Sequence, residues 1–117
     1  AAPDADAPDN RLAVVCVWRA TVATERPDST RAIRTFEWSA FAAQLKPGGD
    51  RVVERFAGRP AVEVDGDIAM VWGPYEVTVN GKVAHCGTDH FDLVREAGAW
   101  KVLHVTWTQR TEGCTVP

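Results

Sequence analysis

Three short turn signals in the C-terminal half set the architecture of this chain. Asp65-Gly66, Asn80-Gly81 and Ala97-Gly98 each stand between runs rich in Val, Ile, Thr, Trp, Tyr and Phe. Asn-Gly and Asp-Gly in that setting are the strongest short hairpin signals, because both residues tolerate the positive φ that a tight turn between twisted strands demands. The spacing predicts four antiparallel strands over residues 60–64, 67–79, 82–95 and 100–110. The last three exceed the usual strand of about 5–6 residues, so a sheet built from them has to curl. Gly73-Pro74 falls in the middle of 67–79, where proline cannot donate to a ladder, and a bulge or sharp bend is expected there.

Upstream, residues 12–22 combine β-branched side chains with Trp18 and read as a strand lying against that sheet. Residues 24–30 (TERPDST) read as a turn and 32–34 as a short strand. Thr35 offers an N-cap for a helix over 36–46, with Phe36, Ala40 and Ala43 near one face, and Pro47-Gly48-Gly49 ends it. A strand pattern resumes over 52–57, and Gly58-Arg59-Pro60 interrupts it as a corner would. Residues 1–10 are Ala, Asp and Pro without periodicity and read as a loose acidic leader. The Ala-Ala-Pro-Asp start suits the mature end left by signal-peptide cleavage, so export and cytoplasmic residence are both compatible with it.

The 117 residues suffice for one domain with a single core. Net charge is -3 and the charges are interspersed, which argues against nucleic acid as a partner. No apolar run approaches the roughly 20 residues of a membrane helix. The three cysteines, Cys16, Cys86 and Cys114, allow one internal disulfide at most and match no zinc spacing; Cys16 and Cys86 read as small strand residues and Cys114 as an exposed thiol. Neither a nucleophile elbow, a Gly-rich phosphate loop nor a zinc-protease motif is present, and no metal or cofactor is expected.

Counting residues from the turns pairs Val79 with Lys82, Tyr75 with Cys86, Arg95 with Trp100, Phe91 with His104 and Asp89 with Thr106. Alternation then places His85, Asp89, Phe91, Leu93, Trp100, Val102, His104, Thr106 and Thr108 on one face, and Cys86, Thr88, His90, Val94, Leu103, Val105 and Trp107 on the other. Asp89 and His104 are the candidate catalytic pair, since a carboxylate beside an imidazole in a partly dry pocket can move a proton between carbon and oxygen. Trp72, Tyr75, His85, Phe91, Trp100 and Thr106 are the candidate ligand-lining residues. The plainer reading makes Asp89 a turn cap or ion-pair partner, His104 a satisfied inner histidine and the tryptophans core. A metal would need His85, His104 and one carboxylate to converge.

The runs VDGDIAMVWGPYEV, Asn80-Gly81-Lys82, HCGTDHFDLVR, WKVLHVTWT and RTEGC, spread over residues 59–114, resemble the nuclear-transport-factor-2-like superfamily. The likeness is to its branch of polyketide-cyclase-like and ketosteroid-isomerase-like small domains. The resemblance implies an α+β fold in which a curled antiparallel sheet packs on helix to form a cone with a pocket. It also implies a small, mostly apolar organic ligand and a homodimer formed through the outer sheet face, here expected to carry Val94, Leu103, Val105 and Trp107. Tyrosines of steroid-isomerase relatives donate to an oxyanion, a role the resemblance offers Tyr75. The helical hairpin usual before the first strand is largely missing, so another chain or a second subunit is expected over the inner face. Three functions fit these features: a ligand-binding domain, a cofactor-independent isomerase, dehydratase or cyclase, and a dimerisation or partner-binding module.

Overall fold

A computed structural model describes residues 19–37 and 49–114 of the chain. Seven strands follow one another: β1 (Arg19–Glu25), β2 (Arg31–Glu37), β3 (Val52–Phe56), β4 (Ala61–Asp65), β5 (Ile68–Val79), β6 (Lys82–Glu96) and β7 (Ala99–Gln109). They form one curled, open sheet in the order β2-β1-β7-β6-β5-β3, with β4 also pairing along β5. All pairings are antiparallel except β1 with β7.

The turn chemistry accounts for the centre of the sheet. Asn80 and Gly81 take φ of 52° and 84°, and Ala97 and Gly98 take 52° and 79°. Paired left-handed values of this kind match the right-handed twist of the strands they join. The first hairpin turns one residue later than read: Asp65 pairs with Ile68, and Gly66, at φ 56°, stands first in the two-residue loop.

The helix expected over 36–46 does not start at Thr35. Thr35, Phe36 and Glu37 end β2, paired to β1, and no helix occurs among the described residues; 38–48 lie outside them. Phe36 aligns with Ala20, and its ring meets Trp107 edge-on at 5.9 Å, so tertiary packing overrides the local capping preference. The leader, Cys16, Trp18, Trp38 and the first part of the 12–22 strand also fall outside the described residues.

Gly73-Pro74 produces no bulge. Gly73 faces Asp89 and Pro74 faces Thr88 in unbroken register. The main-chain groups of a strand residue point to the same neighbour, and the Pro74 carbonyl accepts from the Ala57 amide at 2.7 Å, away from β6. The missing N–H is therefore one the β5–β6 ladder does not need. It lies where β3 gives way to β4.

The register slips elsewhere, in two places. In β6, Ala84 is extra, because Val77 faces His85 while Thr78 faces Val83. In β7, Leu103 is extra, because Leu93 faces Val102 while Asp92 faces His104. A one-residue bulge carries all later side chains to the opposite face. Tyr75 thus pairs with Gly87 rather than Cys86, Phe91 with Val105 rather than His104, and Asp89 with Trp107 rather than Thr106. The inner face so formed carries the core of Ala69, Val71, Leu93 and Val102, against which Phe56, Val64, Phe91 and Trp100 pack.

Beyond β7 the chain is fastened back. Arg110 exchanges two 3.0 Å main-chain hydrogen bonds with Cys86, and a disulfide joins Cys86 to Cys114. Both half-cystines are buried, so Cys114 is not the exposed thiol the sequence suggested. No helix among the described residues is long and apolar enough to cross a membrane.

Candidate functional site

A polar cluster interrupts the apolar inner face. Asp89, opposite Gly73 on β5 and Trp107 on β7, is only 3% exposed. The carboxyl of Glu54 on β3, itself exposed to solvent, lies within its hydrogen-bonding reach. Two carboxyls bond to each other only when one keeps its proton. Burial first, then the hydrogen bond and charge of Glu54, push the Asp89 pKa up to about 9, so Asp89 is the neutral, proton-carrying partner at pH 7. Among the described residues no Lys or Arg pairs with either carboxyl. Arg55, next to Glu54, turns to the other face and binds Glu76 at 2.7 Å.

Tyr75 and His85 share this face. The Tyr75 hydroxyl donates to the Thr108 carbonyl at 2.7 Å and lies 3.1 Å from His85 Nδ1. Its single proton is committed to Thr108, so the phenolic oxygen accepts from Nδ1–H and Nε2 is left as the unprotonated nitrogen. Burial lowers the His85 pKa against an opposing pull from Glu54, which keeps the ring neutral. Burial, followed by the Asp89 and Glu54 carboxyls, pushes the Tyr75 phenol up, so it stays a donor. The Thr108 carbonyl reaches inward because residue 87 is glycine: a Cβ there would stand 2.1 Å from that oxygen.

The structure brings together part of the set read from sequence. Asp89, Tyr75, His85, Phe91 and Trp100 lie on the inner face, with Trp100 at its far end under the Arg95 guanidinium, 5.2 Å from the ring centroid. His104, Thr106 and Trp72 do not join them. The Leu103 bulge turns His104 outward opposite Asp92, where its Nε2 lies 3.3 Å from the Thr21 hydroxyl, and leaves Thr106 exposed on the same outer face. The Asp89–His104 pair is therefore not assembled. His85 and His104 stand on opposite faces, and no group of three His, Cys, Asp or Glu able to hold a metal forms among the described residues. Trp72 is 53% exposed on the outer face, its ring 5.6 Å from that of His90. Tyr75, with its proton spent on Thr108, serves as an anchor rather than an oxyanion donor.

The same bulge divides the surface expected to self-associate. Val105 and Trp107 turn inward, while Leu103 stays 44% exposed and Val94 pairs with Lys101 on the outer face. An open groove of about 750 Å³ is lined by Ile68, Met70, Leu103, His104, Glu63 and Asp92 among others; the Asp89 cluster does not line it.

Glu54 was not among the residues singled out from sequence. Its signal lay in VVERF, where period-two alternation aligns it with Val52 and Phe56, a carboxylate on an otherwise apolar row.

No protein-family model and no curated protein matches the chain. Solved structures do. An NTF-2-like protein of unknown function from Silicibacter pomeroyi superposes with a TM-score of 0.53 at 17% identity, over 83% of this chain and 76% of that one. A nuclear transport factor 2-like superfamily protein from Salmonella enterica gives 0.52 at 16% identity, over 79% and 70%. The β subunit of the benzoate 1,2-dioxygenase from Burkholderia mallei gives 0.55 at 12% identity, over 88% and 78%. At such identities the likeness is one of fold alone.

Proposed function

We propose that this chain, whose fold is that of the nuclear-transport-factor-2-like proteins, binds a small, mostly apolar organic molecule on its inner sheet face and moves a proton on it without a cofactor. The observation that carries the reading is the buried Asp89 carboxyl with the Glu54 carboxyl in hydrogen-bonding reach and, among the described residues, no cation paired with either. An ion pair would have made Asp89 a structural anion. A carboxylic acid held neutral at pH 7 donates a hydrogen bond to a ligand oxygen, and its carboxylate neighbour accepts a proton from carbon or oxygen. That division of labour suits an isomerase, dehydratase or cyclase. The bare Nε2 of His85 adds a second acceptor on the same face. The two neighbouring carboxyls make a neutral ligand the better fit.

The test is binding of a neutral bicyclic ketone, α-tetralone, followed by amide chemical shifts of the full chain. The expected result is perturbation centred on Tyr75, His85 and Asp89, much weaker with 2-naphthoate and weakened by Asp89→Leu. Shifts confined to the outer groove, or equal binding of the naphthoate, would overturn the reading.

A second reading concerns the outer face, where Ile68, Trp72 and Leu103 are 63%, 53% and 44% exposed. Apolar groups clustered in this way mark contact surfaces, and one protein of this fold is a subunit of a dioxygenase. The outer face is accordingly proposed as the place where two copies of the chain meet.

A further inference from the structure

We infer that the Cys86–Cys114 disulfide is a redox clamp on the inner-face site, holding in place the Thr108 carbonyl that orients Tyr75 and, through it, His85. The inference rests on the reading of that face as the functional site and adds the means by which it is regulated.

The geometry runs as a chain of contacts. The regular β6–β7 ladder ends at Asp89 and Trp107. Past that point β6 holds the end of β7 by the Thr88 amide on the Thr108 hydroxyl at 2.9 Å, the isolated Cys86–Arg110 bridge and the disulfide. Thr108 lies between the ladder and the bridge. Its carbonyl presses over Gly87 and takes the Tyr75 proton, and the Tyr75 oxygen in turn fixes His85 Nδ1. Cys86 is next to Gly87 and one residue from His85, so the covalent link acts at the position where the tail and the site meet. Main-chain bridges of a single pair contribute little alone, because each hydrogen bond is worth only about 1 kcal/mol net.

A dithiol reductant opens the clamp. The S–S bond breaks, the dithiol closes to its own disulfide as it gives up two electrons, and Cys86 and Cys114 each take a proton as thiols. Thr111, Glu112 and Gly113, the exposed residues before Cys114, give the access. With the tail released, β1 still pairs with Thr108 through Ala23, but on the β6 side only the Thr88 amide and the single Cys86–Arg110 bridge remain, so the Thr108 carbonyl can swing from Tyr75 and the constraint on the His85 tautomer loosens.

The experiment labels the histidines of the full chain with ¹⁵N and follows the His85 ring through a pH titration, oxidised, after dithiothreitol, and in Cys114→Ser. The oxidised protein is expected to show His85 with the proton on Nδ1 and a pKa below the ordinary histidine value. Reduction, verified by a gain of two thiols, and Cys114→Ser should each move the tautomer toward Nε2–H and the pKa upward while the amide spectrum stays dispersed. An unchanged His85 ring after verified reduction overturns the clamp, and so does loss of the whole fold, which would make the disulfide purely structural. The Asp89 titration separates the two readings. A raised Asp89 pKa with an indifferent His85 defeats the clamp alone, whereas an ordinary Asp89 pKa in the oxidised protein defeats the site.

Discussion

Gly87→Ala is the substitution for which the structure gives the most definite cost. The added Cβ would lie 2.1 Å from the Thr108 carbonyl oxygen, 2.6 Å from its hydroxyl and 2.7 Å from its carbonyl carbon. Ordinary contact begins near 3.4 Å, so β7 has to retreat by more than an ångström. Two of the atoms in the way are backbone, and the strand is pinned on both sides, by Trp107 opposite Asp89 and by the Arg110–Cys86 bridge. Overpacking of this kind costs about 1–3 kcal/mol. The retreat also breaks the Tyr75 and Thr88 hydrogen bonds to Thr108, at about 1 kcal/mol each. The sum is about 3–5 kcal/mol. With a urea m-value of about 1.5 kcal/mol/M, the midpoint should fall by roughly 2–3 M. Gly81→Ala is the control, because nothing lies within 4 Å of its Cβ and only its φ of 84° opposes the change. If Gly87→Ala shifts the midpoint no more than Gly81→Ala does, the Thr108 carbonyl is not where the site requires it.

Three further outcomes are expected. Stability should depend on pH through two groups of opposite sign. The folded pKa of Asp89 is raised, so its contribution is full below about pH 4 and is lost as pH rises toward its folded value near 9. That of His85 is lowered, so its contribution is full above its ordinary value and is lost as pH falls through it. Asp89→Asn, which keeps a donor for Glu54, should flatten the decline in melting temperature between pH 5 and 9, and curves parallel to wild type would contradict the assignment. Reduction of the disulfide removes a cross-link of sequence separation 28, worth about 3–4 kcal/mol by loop-closure entropy, which leaves a domain of about 5–15 kcal/mol folded. Calorimetry with and without dithiothreitol measures that loss, and a melting temperature indifferent to the reductant would rule it out. On the outer face, Trp72→Glu should shift any self-association toward monomer in sedimentation without loss of fold; an unaltered distribution refutes the proposed contact.

Much of the sheet was legible because turn chemistry is local. Gly66, Asn80-Gly81 and Gly98 adopt the conformations their types favour, Ala97 takes φ 52° against its own preference, and strand limits followed within a residue or so. The faces were harder, since each depends on counting without error from a turn. In β7 the information was present but ambiguous: Val102, Val105 and Trp107 share the inner face only if one residue between 102 and 105 is extra, and strict alternation fits the string almost as well. Asp89 and His85 kept to the face read for them, whereas Tyr75, counted opposite Cys86 on the other face, joins them because of the bulge at Ala84. His104 and Thr106 did not survive the bulge at Leu103. Glu54 was overlooked for another reason. Its partner Asp89 lies two strands away, and only the folded sheet brings the carboxyls together. The Cys86–Cys114 link is equally non-local, because three cysteines leave the pairing open until Arg110 is seen beside Cys86.

The central claim is that Asp89 holds a proton at neutral pH while bonded to Glu54. It is tested most directly by ¹³C carboxyl shifts of the full, oxidised chain through a pH titration, with Glu54→Gln assigning the pair. An upper step near pH 9 is expected at Asp89, moving down when Glu54 is replaced, as removal of a like charge requires. A single step at Asp89 in the ordinary carboxylate range near pH 4 would contradict it, and would return Asp89 to the role of a buried anion with a partner still to be found.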